Sequence, residues 1–254
     1  MTSAPQAPVT AAILIIGDEI LSGRTADTNL NHIATWLGRI GIRVMEARVV
    51  PDIEAEIVAA VNAVRARYTY VFTTGGIGPT HDDITADSVG KAFGLPVFYH
   101  PDAYALLDAH YKPGDFNEAR KRMARTPEGA SLIDNPVSKA PGFQIGNVFV
   151  MAGIPRVMQA MLDSLQPRLT GGRPLIARTV SVHLPEGRIA APLGALQARF
   201  PDVAMGSYPF YRNERYGASI VLRCEEESRL DVAVLEAIAM LKALGGDPVD
   251  GDPA

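Results

Sequence analysis

The sequence predicts an α/β fold with a mostly parallel sheet, followed by a small α+β subdomain. Three observations carry this expectation. Short apolar runs at 9–17, 42–50 and 68–74 alternate with segments of helical period. Each run ends in a loop rich in glycine or aspartate. Beyond "TGGRP" (170–174) the order changes to strand, helix, two strands and a helix.

"VTAAILIIG" (9–17) is apolar throughout and ends in Gly17, as a strand buried on both faces should. "DEILSGRTAD" then reads as a polar loop. The stretch 28–40 places Leu30, Ile33, Leu37 and Ile40 on one helical face, and Gly41 stops it. A second strand (42–50) meets "PD" (51–52), and a helix follows with Ile53, Ile57, Val61 and Val64 on one face. The third strand (68–74) runs into "TTGGIGPTHDDIT", and a helix starts near Thr85. Helices are expected at 100–111 and at 116–125, short strands at 131–134, 143–146 and 148–153, and a helix from Pro155 to about Leu169. In the second part, strands are expected at 177–184, 204–211 and 217–226, and helices at 187–199 and 229–244. The division is 1–8 as a disordered N-terminus, 9–172 as the main domain, 173–246 as the subdomain and 247–254 as a disordered tail.

Composition narrows the function classes. The chain has 254 residues, 47% hydrophobic and 20% charged, which suits a domain with a sizeable core. A net charge of −4 without a basic block argues against nucleic acid as partner. No apolar run reaches the roughly 18 residues of a membrane helix, so no membrane partner is expected. The N-terminus lacks the basic segment and apolar stretch of a signal peptide. Cys224 is the single cysteine and reads as a structural thiol in a reducing, cytoplasmic setting.

Ligands of open parallel sheets bind outside the carboxyl ends of the strands. The loops "GDEILSG" (17–23), "PD" and 75–85 lie at three such ends and are expected to share one rim. Gly75, Gly76 and Gly78 allow positive φ and close backbone approach, and a Gly-rich loop before a helix is a recurrent anion cradle. The loop is neither the dinucleotide fingerprint nor a P-loop. Asp82 and Asp83 add charge that would repel an anion. Either a divalent metal intervenes, or one aspartate caps the helix while the other does chemistry or holds a polar ring, or both are solvated caps. Asp18 and Glu19 touch a metal or a ligand hydroxyl, or cap and solvate their loop. His81 reads as solvated, Trp36 as packing, and Lys121, Arg122 and Arg125 as a solvated helix face or a phosphate clamp reaching a neighbouring subunit.

"GDEILSG", "DTN" (27–29), "VPD" (50–52) and "TTGGIGPTHDDIT" in that order resemble the molybdopterin-binding domain of the MoaB/Mog type. More narrowly they are similar to the N-terminal domain of CinA-type competence/damage-inducible proteins and to the related domain of eukaryotic FAD synthases. The likeness spans about 9–170 and continues into the following segment, and the chain is expected to lack the amidase-like domain of full CinA proteins. The resemblance implies a three-layer α/β/α fold and a phosphorylated pterin or adenine nucleotide as small-molecule ligand. It implies catalytic roles for Asp52 and Asp83, with Asp83 also on a metal, Mg, Co or Mn. It implies ligand contacts from Gly17, Asp18, Glu19, Ser22, Asn29, Thr74, Gly75, Gly76, Gly78, Pro79, Thr80, Asp82, Thr85, Pro141, Gly142 and Gly153, and a homo-oligomer, dimer or trimer. Relatives of this type are linked to metal-dependent cleavage of ADP-ribose or FAD. A non-catalytic molybdopterin or nucleotide binder and a molybdopterin adenylyltransferase-like protein are the alternatives. The chain departs from the family pattern at Ala152 (usually Pro), Val157 (usually Glu) and Ser138 (usually Gly).

Overall fold

The computed structural model describes residues 7–212 and 214–251, so the expectations for 1–6 and 252–254 lie outside the described residues. The chain divides into two compact units, 1–172 and 173–254.

The first unit runs β1 (Thr10–Ile16), α1 (Asp18–Leu21), α2 (Asn29–Arg39), β2 (Arg43–Val50), α3 (Glu54–Arg65), β3 (Tyr70–Thr74), α4 (Thr85–Phe93), β4 (Val97–Tyr99), α5 (Pro101–His110), α6 (Glu118–Lys121), β5 (Arg125–Pro127), β6 (Ser131–Ile133), β7 (Gly142–Ile145), β8 (Val148–Met151) and α7 (Pro155–Ser164). The main sheet has the order β2-β1-β3-β8-β7-β6. Its first four strands are parallel, and β7 and β6 close it antiparallel.

β1 explains the layers. Ala11, Ile13 and Ile15 pack with Ile33 and Leu37 of α2 and with Met158, Met161 and Leu162 of α7. Ala12, Leu14 and Ile16 face the other way, against Ile57, Val61 and Val64 of α3 and Val89 of α4. A strand covered on both faces has no polar side, which is why the run reads apolar without alternation. The result is the three-layer α/β/α arrangement.

Four local expectations are corrected. The polar loop after β1 contains a single helical turn, Asp18–Leu21. The helix expected at 116–125 lasts only from Glu118 to Lys121, continues as one 3-10 turn (Arg122–Ala124), and then extends as β5. β5 pairs antiparallel with β4, and this ladder overrides the helical spacing. The helix from Pro155 stops at Ser164, and Gln166–Arg168, with Pro167 inside it, forms a separate 3-10 turn. The fourth correction concerns the tail.

The second unit runs β9 (Ile176–Val182), α8 (Glu186–Arg199), β10 (Ala204–Arg212), β11 (Arg215–Cys224), α9 (Glu227–Ala243) and β12 (Val249–Asp250), with sheet order β10-β11-β9-β12. Its own core joins Val180, Val182, Ile220 and Leu222 to Ile189 and Leu196 of α8 and Leu230 and Leu241 of α9. Residues 247–251 are not a disordered tail. Val249 and Asp250 pair antiparallel with Ser181 and Val180. The Gly251 N–H reaches the Thr179 carbonyl at 2.8 Å, and Arg178 bonds Asp250 at 3.1 Å. Cys224 is buried and free, as a structural thiol should be.

Candidate functional site

The parallel strands β1, β2 and β3 end on one rim, and hydrogen bonds tie their loops together. The Gly17 N–H donates to the Val50 carbonyl at 3.1 Å, and the Asp18 N–H to Asp52 Oδ2 at 3.0 Å. The Gly75 N–H donates to the Met151 carbonyl at 3.1 Å, which adds the end of β8.

Two glycines in the loop after β3 are there by necessity. Gly75 has φ +104°, and a Cβ on it would lie 2.0 Å from the Ile16 carbonyl oxygen. Gly76 has φ +65°, and a Cβ there would lie 2.1 Å from Thr85 Oγ1 and 3.6 Å from Asp52 Oδ1. The loop is therefore packed to backbone contact with its neighbours. Thr85 staples it to the first residue of α4: its N–H bonds the Gly76 carbonyl at 3.0 Å, and its buried hydroxyl bonds the Gly75 carbonyl at 3.0 Å. α4 has no side-chain cap at its N-terminus.

The geometry separates the two aspartates. Asp83 spends both oxygens inside its own loop. Oδ1 accepts from the Gly78 N–H at 2.6 Å, and Oδ2 from the Thr80 N–H at 2.7 Å and the Thr80 hydroxyl at 2.5 Å. Asp52 receives one backbone N–H on Oδ2 and turns Oδ1 toward Gly76. Burial pushes the Asp52 carboxyl above the usual carboxylate range. The Asp18 N–H opposes the rise, and the charges of Asp18, Glu19 and Asp82 reinforce it.

Two clefts flank the glycine loop. The first is lined by Gly76, Gly78, Asp83, Asp87, Arg122 and Arg125, with Pro141 in its wall. Arg125 is consumed by a bidentate pair with Asp87, at 2.9 and 2.5 Å. Arg122 donates from Nη2 to the Asp83 carbonyl at 3.2 Å, and its Nε is buried without a partner. The second cleft is lined by Glu19, Ile20, Asp27, Asn29, Thr74 and Gly153 among others.

The structure thus brings Gly17, Asp18, Glu19, Asp52, Gly75, Gly76, Gly78, Asp83 and Thr85 onto the rim, with Asn29, Thr74 and Gly153 on one side and Pro141 on the other. Pro79, Thr80, His81 and Asp82 form the exposed loop tip. Ser22 turns its hydroxyl to the Glu19 carbonyl at 3.3 Å. Gly142 has a packing reason, since a Cβ on it would lie 2.3 Å from the Val150 carbonyl. Trp36 packs on the α2–α7 side and donates Nε1–H to Asp163 at 3.0 Å. The sequence reading offers a solvated helix face or a phosphate clamp reaching a neighbouring subunit for Arg122 and Arg125; both line the first cleft of their own chain. Their signal was position: three basic residues stand close in sequence on a chain whose rim loops are acidic. Ser138 holds its loop through Asn135, whose Nδ2 donates to Ser138 Oγ at 2.6 Å.

Among the described residues, no group of three or more His, Cys, Asp or Glu could hold a metal ion by itself, and no helix is long and apolar enough to cross a membrane.

Comparison with known proteins agrees with this architecture. Residues 12–171 match the family described as "Probable molybdopterin binding domain", and residues 174–245 match "FAD synthase, middle domain". A CinA-like protein of Desulfosudis oleivorans is 37% identical over 209 residues, covering 77% of this chain and 51% of the relative. One from Citrifermentans bemidjiense is 40% identical over 167 residues, covering 63% and 40%. The chain therefore spans about half the length, or less, of these two relatives. A Thermococcus kodakarensis protein is 34% identical over 240 residues, covering 88% of this chain and 94% of that one. The crystal structure of a protein CinA of unknown function from Thermoplasma acidophilum superposes with a TM-score of 0.60 at 33% identity, over 63% of this chain and 98% of that one.

Proposed function

The chain belongs to the molybdopterin-binding domain family and is CinA-like, and from that premise we propose that its rim binds a phosphorylated pterin or adenine nucleotide and hydrolyses a phosphoanhydride in it. One observation carries the reading. Asp52, a carboxylate with a raised pKa and one unoccupied oxygen, stands beside the backbone cradle of Gly75 and Gly76.

The chemistry follows from that placement. The glycine loop and Arg122 hold phosphate oxygens, by close backbone approach and by charge. Asp52 Oδ1 orients a water and accepts its proton as the water oxygen bonds to phosphorus. The P–O bond to the leaving phosphate breaks, and that phosphate carries away the electron pair. A carboxyl whose pKa is raised by burial is a better proton acceptor than a free one. In place of the catalytic and metal roles that the resemblance implies for it, Asp83 organises the loop in this reading, since both its oxygens accept hydrogen bonds from Gly78 and Thr80.

A divalent metal fits the donor set. Mg²⁺ and similar ions need one or two protein carboxylates and take remaining ligands from phosphates and water. Asp52 with Glu19 or Asp82 would hold it, and it would neutralise the charge that these carboxylates and the phosphates place on one rim.

The test is incubation with ADP-ribose and with FAD, each with Mg²⁺, Co²⁺ or Mn²⁺, following release of AMP. Metal-dependent AMP release that Asp52→Asn abolishes supports the reading. Tight binding with no turnover supports a second reading, binding without catalysis. One observation favours that alternative: Val157, where the family pattern carries Glu, is 6% exposed and packs in the core, so this position brings no carboxylate to the rim.

A further inference from the structure

The outer edge of β2 carries an arrangement that the rim does not use. Among the described residues β2 pairs with β1 alone, so its other edge is open. Natural edge strands are guarded by proline, lysine or a bulge, because an open edge is a template for a further strand. β2 has no proline and no lysine. Its bulge stands at one end: the register on β1 shifts between Ala11 and Ala12, which leaves Met45 extra, and from Glu46 onward the pairing is regular. The Val50 carbonyl accepts from Gly17, on the β1 side. Successive residues of a strand turn their backbone groups to opposite neighbours, so those of Glu46 and Arg48 also face β1, and those of Ala47 and Val49 face outward. The side chains of Met45, Ala47 and Val49 are exposed. On the other face Glu46 Oε1 accepts from Arg48 Nε at 2.5 Å, and Oε2 accepts from the Tyr68 hydroxyl at 2.7 Å and from Arg67 at 3.1 Å. Arg48 spends only Nε on that bond.

We infer that this edge takes the β2 strand of a second copy of the chain, antiparallel about a two-fold axis at Ala47, and joins the two six-stranded sheets into one. The register follows from the strand itself. In an antiparallel ladder, residues that turn their backbone groups toward each other pair directly. A two-fold pair can therefore centre on Glu46, Ala47, Arg48 or Val49. A centre at Glu46 sets two glutamates together, one at Arg48 sets two arginines together, and one at Val49 sets Glu46 against the partner's Asp52. Like charges directly opposite are destabilising. With the centre at Ala47, each Glu46 meets the partner's Arg48 and each Val49 meets the partner's Met45, and the small alanine lies on the axis. Both faces are then matched, by two pairs of opposite charge on one and two apolar pairs on the other. Leu21 of α1, which lies beside β2, and Ile53 are exposed and extend the apolar margin. A strand alone needs such an extension, because a stable interface covers about 800 Å² on each partner. A surface that meets its own copy closes at two chains, so this contact selects a dimer over a trimer. The antiparallel strands place the two rims at opposite ends of the joined sheet, and the inference is independent of what the rim binds.

Sedimentation equilibrium, hydrogen exchange and a charge swap test the interface. Wild type should sediment at twice the 27.2 kDa of one chain at micromolar concentration. The amides of Ala47 and Val49 should be protected in the dimer and exchange on dilution, while those of Glu46 and Arg48 stay protected by β1 at every concentration. Arg48→Glu sets acid against acid across the axis, and Glu46→Arg sets base against base. Each alone should weaken self-association by about tenfold or more. An equimolar mixture of the two variants should restore it, because in the mixed pair every acidic position again meets a basic one. The mixture also guards against a folding artefact, since a misfolded variant could not restore the pair. A monomeric wild type overturns the inference and leaves the edge to another protein's strand or to solvent. A trimer overturns it too, as does a dimer that neither substitution weakens, which would be built on another surface. A dimer in which the Ala47 amide exchanges freely would mean that the copies meet without a ladder, and the strand pairing would be wrong.

Discussion

The Asp52 carboxylate is fastened to the β1 loop through the Asp18 N–H, 3.0 Å from Oδ2, while Oδ1 lies 3.6 Å from where a Cβ on Gly76 would stand. One side chain thus connects the loops of β1, β2 and β3. It does so at a cost, because burial and three neighbouring carboxylates penalise its ionised form.

That cost predicts a trade between stability and activity in Asp52→Asn. The folded pKa is raised above the ordinary 3.8, so the native state binds this proton more tightly than the unfolded state does. The stability that Asp52 contributes is fully present below about 3.8 and falls as pH rises through the folded pKa. Asn keeps an oxygen for the Asp18 N–H and carries no charge. Asp52→Asn should therefore melt above wild type near neutral pH, with the gap closing as pH falls toward the ordinary carboxylate value. Turnover of a phosphoanhydride should drop by about 10²-fold or more. A melting series against pH checks the first claim; a gap that widens on acidification would contradict it.

Asp83 should behave in the opposite sense. Its carboxylate accepts three hydrogen bonds from Gly78 and Thr80. Asp83→Ala leaves those donors without their partner and should cost about 1–3 kcal/mol by chemical denaturation. Asp83→Asn keeps acceptor capacity and should cost less. Because the loop shape is what suffers, both variants should raise KM more than they lower kcat. A pure kcat effect would put Asp83 in the chemistry and overturn the loop assignment.

The glycines give a graded series. Gly76→Ala must hold an L side chain in the left-handed region, about 1–2 kcal/mol, and must displace the Thr85 hydroxyl from its bond to Gly75. Gly75→Ala should be worse, because its obstacle is the Ile16 backbone carbonyl, which cannot rotate away. Gly38, in α2 with nothing near the added Cβ, is the control: Gly38→Ala should stabilise by about 0.5–1 kcal/mol. Thermal melts of the three variants test the order.

The tail supplies a prediction about the second unit. Deleting residues 247–254 removes β12 and its bonds to Thr179 and Ser181, and leaves Arg178 without Asp250. The amides of β9 should lose hydrogen-exchange protection, while those of β11 keep it. Unchanged protection in β9 would mean that β12 contributes nothing.

What was legible in the sequence follows from how local each cause is. The two-sided burial of β1 is written in its apolar run, and the buried face of α2 in the spacing of Ile33 and Leu37. The parallel order follows because strands alternate with helices. β4 and β12, with three and two residues, have no periodicity to read, and each exists only because a partner strand lies beside it. "GGDPVDGD" has the composition of a disordered tail, and only the edge of β9 makes it a strand. Gly75 and Gly76 announced a close approach, but not that Asp83 would face inward to Gly78 and Thr80 while Asp52 faces the cradle. That division depends on the tip of one loop and on contacts between residues 34 positions apart.

Arg122 is the sharpest case, because a basic residue on a short helical segment reads as solvated by any local rule. Its Nε is buried without a partner, its Nη2 holds the Asp83 carbonyl, and among the described residues no carboxylate forms an ion pair with it. Arg125, three residues on, is neutralised by Asp87. The first cleft therefore has one unpaired cation, and its anion affinity should depend on Arg122. Arg122→Met keeps much of the length and removes the charge and the fork. It should lower affinity for pyrophosphate by about tenfold, the scale of one charge-assisted hydrogen bond, and weaken the dependence of binding on salt. Stability should stay level or rise, since an unsatisfied buried donor is removed. Arg122→Lys should recover part of the affinity, because charge returns without the planar fork. Arg125→Met is the contrast: it strips the Asp87 carboxylate of its bidentate partner and should lower the melting temperature. Calorimetry with pyrophosphate at two salt concentrations, beside thermal melts, reads all of these effects. If Arg122→Met binds pyrophosphate like wild type while Arg125→Met does not, the anion is held by Arg125 and the assignment of Arg122 is wrong.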